Sequence, residues 1–281
     1  MRIPMLVLCA AAVAGCGSAK LTESQEYFMG RGVAAMAIEK DHLWPDREAD
    51  EKYYQKVEEY LTLVGLTVAF ESDRPETFKG YTFAVLNTET VNAFAGPSGF
   101  IFVTKGALRR LQSEDELAGV LAHEIAHVNL RHPELAANRA AEKEGLMDFA
   151  TKFTSLASGA LSLMGKQQYA DLAKKAGPVF GKTVVGLHQQ YANGYSRDEE
   201  FAADRMAVEF LTRPGVRYDP NAFKGFISRL PPAGTAYGTH PGLEGRVKAI
   251  EDEIQKRAGK VAPTDPARTQ RFLAMKAALG Q

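Results

Sequence analysis

The amino-acid sequence predicts an α+β fold, mainly helical, with a small antiparallel β-sheet beside one strongly marked helix. Three observations carry this expectation. Apolar residues recur at helical spacing over residues 23–39 and 47–64, and again from residue 197 onward. Between these regions, three short stretches within 78–104 read as strands, punctuated by the turn Gly96-Pro97-Ser98-Gly99. Two Ser-x-x-Glu capping signatures, at Ser113 and Ser196, each open a helix.

Composition sets the outer bounds. The chain has 281 residues, enough for one large domain or two small ones. At 45% apolar and 24% charged residues it has the makings of an ordinary globular core. Lys+Arg and Asp+Glu both number 34, so no excess charge argues for nucleic acid or an anionic surface as partner. The two cysteines, Cys9 and Cys16, lie at the extreme N-terminus. Residues 1–15 read as an export signal: Arg2, then an apolar run from Met5 to Ala14 that is too short to span a bilayer. Val13-Ala14-Gly15-Cys16 resembles the lipobox of bacterial lipoproteins, in which the signal is cut before a cysteine that is then lipidated. The alternative is an ordinary signal peptide cut after Ala19. A mature chain without free thiols suits an oxidising periplasm. Gly17-Ser18 lacks the Asp that retains such lipoproteins at the inner membrane, which favours the outer membrane.

After a polar tether at 16–25, the first helical segment is interrupted by Trp44-Pro45-Asp46, and the second carries Tyr53, Tyr54, Val57, Tyr60, Leu61 and Val64 on one face as core packing. Strands follow at 78–86, 91–95 and 100–104. A free edge of this sheet could take an extended peptide as a further strand, with Asn92, Ala93, Phe94 and Ala95 as candidate contacts. Ordinary sheet packing explains the same residues. Residues 134–192 read as mainly helical; Asp148 and Lys152 inside 146–164 favour an amphipathic helix over a membrane span. A helix over 197–212 is stopped by Pro214-Gly215. Another runs from Asp219-Pro220 to about 230, a charged amphipathic one covers 242–257, and a terminal one lies within 265–281.

The helix opened by Ser113-Glu114-Asp115-Glu116 contains His123-Glu124-Ile125-Ala126-His127. At about 100° per residue, His123 and His127 fall about 40° apart on one face, one turn from each other. Two imidazoles so placed can bind one zinc ion, with Glu124 beside it as a general base for an attacking water. On the 197–212 helix, Glu200 and Asp204 share a face with Ala203 and Ala207. That face could approach another helix closely, present Glu200 to a metal and set Asp204 against a ligand histidine. A solvated acidic face, with Asp198 and Glu199 adjacent, fits the spacing equally well. His132, five residues past His127, falls about 140° around a continuing helix and reads as a cap or surface residue. His188 has no motif around it and reads as structural.

Four segments in this order resemble those of the M48 family of zinc metallopeptidases, which includes the Ste24, HtpX and Oma1 types. They are Asn92-Ala93-Phe94-Ala95 with the strand after it, His123 to His127 continuing to Arg131-His132-Pro133, Ser196-Arg197-Asp198-Glu199-Glu200-Phe201-Ala202-Ala203-Asp204, and Thr239-His240-Pro241. The resemblance covers roughly residues 60–249. It departs at Pro97-Ser98-Gly99, where the family pattern has Pro-Gly-Gly. It implies a gluzincin-type zincin fold over 26–260, with 261–281 as a tail or helix. It also implies one Zn2+ held by His123, His127 and Glu200, with Asp204 as the acid behind a ligand histidine and Glu124 as the base. For His240 it leaves three roles open: donor to the oxyanion, fourth inhibitory ligand, or structural residue. The implied substrate is polypeptide, among misfolded or unassembled envelope proteins at the periplasmic side of the outer membrane. The rival reading from another class is a chaperone or assembly factor with a structural or rarely used zinc site.

Overall fold

The computed structural model describes residues 22–44, 51–136, 194–230, 243–257 and 265–280. In chain order the elements are α1 (Glu23–Asp41), α2 (Glu51–Phe70), β1 (Thr82–Leu86), β2 (Ala93–Gly96), β3 (Phe100–Thr104), α3 (Lys105–Arg110), α4 (Glu114–Asn129), α5 (Arg197–Leu211), α6 (Pro220–Ser228), α7 (Leu243–Lys256) and α8 (Pro266–Ala278). Residues 132–136 are helical as well. The expected leader with Cys16, the segment beyond Ala136 with His188, and the loop with His240 lie outside the described residues.

The architecture is α+β and mainly helical, as the sequence predicts, but the sheet is mixed and not wholly antiparallel. Its order is β1-β3-β2. β2 and β3 form an antiparallel hairpin across a one-turn 3-10 segment, Pro97–Gly99. β1 instead pairs in parallel with the far side of β3, Thr82 against Phe100 through Leu86 against Thr104. The physical reason is that β2 is itself the return stroke between two strands running the same way, so β1 and β3 can lie side by side. Local pattern gives each strand but not this order. Ser98 in the turn has φ 60°, the left-handed region where a side chain is strained and glycine is not. That is why glycine fits the position in the family pattern.

Side chains alternate across the sheet with period two. Ala84, Leu86, Phe94 and Phe102 pack with Met29, Val33 and Ala37 of α1. Phe83, Val85, Ile101 and Val103 join the larger core with Leu61 and Val64 of α2 and Leu117, Leu121 and Ile125 of α4. The sheet is therefore sandwiched between α1 and the α2/α4 layer.

α4 is the innermost element, buried continuously from Glu114 to Val128. A helix buried on every side must find partners even for its charges. Ser113 caps it by accepting from the Glu116 N–H at 3.1 Å, while the Glu116 carboxylate takes the Gln112 N–H and Arg229. Glu114 accepts from Tyr60 at 3.0 Å, Tyr218 at 3.1 Å and Arg271 at 2.7 Å. Burial and the Glu114 charge push both tyrosine hydroxyls up, so they stay protonated donors. Asp115 accepts from Arg268 at 3.0 Å and from the Asp219 N–H at 2.9 Å. The terminal helix α8 thus anchors the first turn of α4, and its Phe272 and Met275 join the same core. Gly119 lets α6 come close: a Cβ there would lie 2.4 Å from Cβ of Phe223.

α4 ends at a reversal. Arg131 is left-handed, with φ 59°, and its guanidinium donates to the buried Glu26 of α1, which also pairs with Arg74 at 2.6 Å. Beside this pair, Glu134 is buried with no hydrogen-bond partner for either carboxylate oxygen among the described residues. Burial, reinforced by the nearby Glu26 charge, raises its carboxyl from 4.5 to about 7. The folded state therefore binds more protons than the unfolded state between those values. Its contribution is lost as pH rises from about 4.5, leaving a penalty of about 3 kcal/mol above pH 7. Urea unfolding checks this: the stability of Glu134→Gln relative to wild type will rise by about 2–3 kcal/mol between pH 5 and pH 8.

Candidate metal centre

Two helices that cross in the core supply the polar cluster at the centre of the protein. The apolar residues of α4 turn its opposite face, with His123 and His127, towards α5. Ser196 opens α5 with a complete capping box, its hydroxyl accepting from the Glu199 N–H while the Glu199 carboxylate accepts from the Ser196 N–H. Ala203 and Ala207 are fully buried, so the two helices approach closely and Glu200 and Asp204 face the histidines. The solvated-face alternative for these acids is excluded: both are 0% exposed.

One ligand atom each from His123, His127 and Glu200 lies within 4.8 Å of the others. The Nε2 atoms of the two histidines are 3.0 Å apart. Glu200 Oε2 is 3.5 Å from His123 Nε2, and Oε1 is 3.8 Å from His127 Nε2. Three donors about 2.05 Å from one tetrahedral ion stand about 3.3–3.4 Å apart. The nearest approaches of the three residues, which for Glu200 involve a different oxygen towards each histidine, bracket that value, so these residues fit a small divalent metal.

Behind the triangle, His123 Nδ1 lies 3.0 Å from Asp204 Oδ1. Arg246 of α7 clamps Asp204 with two hydrogen bonds of 2.7 Å and lies 3.0 Å from Glu200 Oε2. Burial alone would lower the His123 imidazole, but Asp204 and Glu200 outweigh it and push it up to about 9. Burial would raise Asp204, but the Arg246 charge outweighs it and holds the carboxyl below its usual range. Asp204 is therefore an anion that fixes the proton on His123 Nδ1 and leaves Nε2 facing Glu200. Glu124 is buried on the same helix.

On the far side of His127 the Tyr195 ring stacks at 4.0 Å between centroids and 18° between planes. His127 Nδ1 is 2.8 Å from His132 Nδ1. Phe223 lies beside His123, at 6.0 Å between ring centroids. Among the described residues strand β2 ends the sheet, with Ala93, Phe94 and Ala95 buried; Phe94 stacks on Phe102 at 5.0 Å, and the Asn92 N–H donates to Thr104 Oγ1 at 3.0 Å. Those side chains belong to the core, so any contact of this strand with a peptide falls to its backbone. Tyr195 approaches it too, its hydroxyl 3.5 Å from the Ala95 carbonyl oxygen.

Sequence reasoning misses Arg246, His132 and Tyr195. For Arg246 a signal exists, since two buried acids on one helix face require a cation, but nothing local says which of the arginines answers. For His132 the straight-helix geometry misleads, because the chain reverses at Arg131.

The model of Peptidase family M48 matches residues 55–254. The beta-barrel assembly-enhancing protease of Yersinia pestis is 30% identical over 224 residues, covering 76% of this chain and 42% of that protein. The protein of the same name in Escherichia coli K12 is 30% identical over 172 residues, covering 61% and 32%. The mitochondrial metalloendopeptidase OMA1 of Schizosaccharomyces pombe is 30% identical over 188 residues, covering 64% and 49%. The chain thus spans between about a third and a half of the length of these relatives.

Arg246 gives the centre a direct test. Replacing it with Met leaves two buried carboxylates without their cation. Arg246→Met will lower the stability of the metal-free protein by about 3–5 kcal/mol in urea unfolding.

Proposed function

The chain belongs to peptidase family M48, and on that premise we propose that it is a zinc-dependent endopeptidase that cleaves cell-envelope proteins. The observation that carries this reading is the donor triangle of His123, His127 and Glu200 with Asp204 behind it. Two imidazoles and one carboxylate are a donor set of catalytic zinc sites, which keep a position open for water or substrate. Zinc bound there supplies a Lewis acid that polarises a carbonyl and brings the pKa of a water near 7.

The residues of the chain do the rest. His123 and His127 present Nε2, and Asp204 keeps the His123 proton on Nδ1. Arg246 holds Glu200 and Asp204 in place. Glu124 takes a proton onto its carboxylate as water adds to the scissile carbonyl, then gives it to the leaving amine nitrogen. Strand β2, with Ala93, Phe94 and Ala95, is the proposed platform that aligns the substrate as an added strand, while Asn92 gives its backbone N–H and carbonyl to Thr104. His240 is the proposed donor to the developing oxyanion.

The export signal and Cys16 lipidation place the enzyme at the periplasmic face of the outer membrane in this reading. Among the described residues no helix is long and apolar enough to cross a membrane. The names of the bacterial relatives support misfolded or unassembled envelope proteins as substrates. The word "assembly" in those names also supports a second reading, that of an assembly factor whose metal site is rarely used.

One pair of variants separates the two. Glu124→Gln will keep about one zinc per chain and lose 10²–10⁴-fold in peptide cleavage, and Glu200→Ala will lose zinc. Equal processing of an envelope substrate by wild type and Glu124→Gln would favour the assembly factor.

A further inference from the structure

We propose that His132 is a positioning residue for the metal ligand His127, fixing its tautomer and ring plane through a histidine–histidine hydrogen bond. The inference rests on the proposed zinc site and extends it by one residue.

His132 is 5% exposed and His127 is fully buried. Their Nδ1 atoms are 2.8 Å apart, a hydrogen-bond distance, with the rings inclined at 65°. A neutral imidazole has one donor and one acceptor nitrogen. His127 Nε2 is the atom turned to His123 and Glu200, so it must keep its lone pair for the metal and its proton must sit on Nδ1. That N–H then donates to His132 Nδ1, which must be the acceptor, and the His132 proton sits on Nε2. One contact therefore sets the tautomers of both rings. Tyr195 stacks on the His127 ring and limits its rotation.

The two ligand histidines thus have different supports: an anion, Asp204, behind His123, and a neutral imidazole behind His127. The neighbourhood of His127 already holds the buried carboxyl groups of Glu124, Glu200, Asp204 and Glu134. A further carboxylate in place of His132 would add buried negative charge, which is costly in a low-dielectric interior, whereas a neutral imidazole adds none. The backbone is shaped to deliver this neutral acceptor. The left-handed Arg131, held by Glu26, turns the chain so that His132 returns to His127.

The test compares wild type, His132→Asn and His132→Leu. Zinc affinity is read by competition with a chromogenic chelator, and thermal midpoints are read on the metal-free proteins. Asn places Oδ1 where the imidazole has Nδ1 and will hold zinc within about 3-fold of wild type; Leu keeps bulk without an acceptor and will weaken zinc 10–100-fold. A purely packing role predicts that Asn and Leu act alike on zinc, or that neither acts; either result overturns the inference. Wild type without zinc would overturn the proposed site and this inference together, whereas tight zinc in both wild type and His132→Leu would overturn this inference alone. If His132→Leu fails to fold, the ¹⁵N-histidine NMR spectrum of zinc-loaded wild type decides. His127 as the Nδ1–H tautomer and His132 as the Nε2–H tautomer support the inference, and a proton on His132 Nδ1 overturns it.

Discussion

The pairing of Asp204 with Arg246 is the interaction on which the rest of the centre depends. A carboxylate can stay ionised in the interior only with a cation and hydrogen bonds around it. Asp204 has both, two bonds of 2.7 Å from a guanidinium that is itself 1% exposed. As an anion it orients His123. The same guanidinium reaches Glu200, so one residue of α7 sets the charge state on α5 and, through α5, the geometry of α4. One fork of hydrogen bonds joins α7 to α5, and the Asp204–His123 contact carries it to α4. The helices can pack this closely because Ala203 and Ala207 leave room between them.

At the other end of α4 the same physics operates with different residues. Glu114, Asp115 and Glu116 are buried acids in a first turn, where the helix dipole favours them. They are neutralised by Arg271, Arg268 and Arg229 and hydrogen-bonded by Tyr60 and Tyr218. The central helix is thus held by ion pairs at its start and by the polar cluster near its end, with only apolar contacts between. α8 contributes two of those arginines although it lies beyond the stretch that the family model matches. Its role is to complete the core that holds the site.

Much of this is legible in the sequence. His123, Glu124 and His127 sit in a helix whose start and face were both written in local pattern, and the helix at Ser196 was marked by its own cap. Glu200 was harder. Glu199 stands beside it, and spacing alone did not distinguish a metal-facing acid from a solvated one; family resemblance chose Glu200, and burial agrees with that choice. What stayed hidden is non-local or depends on one backbone angle. The pairing of β1 with β3 depends on strand order, which no strand encodes by itself. Arg246 matters only once α7 is docked. An unbroken helix would turn His132 away from His127, and the left-handed Arg131 breaks it.

In the proposed site one metal engages α4 and α5 together. Anomalous diffraction at the zinc edge from crystals of the zinc-loaded protein measures that directly. A single peak is expected about 2.0–2.2 Å from His123 Nε2, His127 Nε2 and one Glu200 carboxylate oxygen. A peak bound by the histidines without Glu200, or one elsewhere in the protein with none at the triangle, would contradict it.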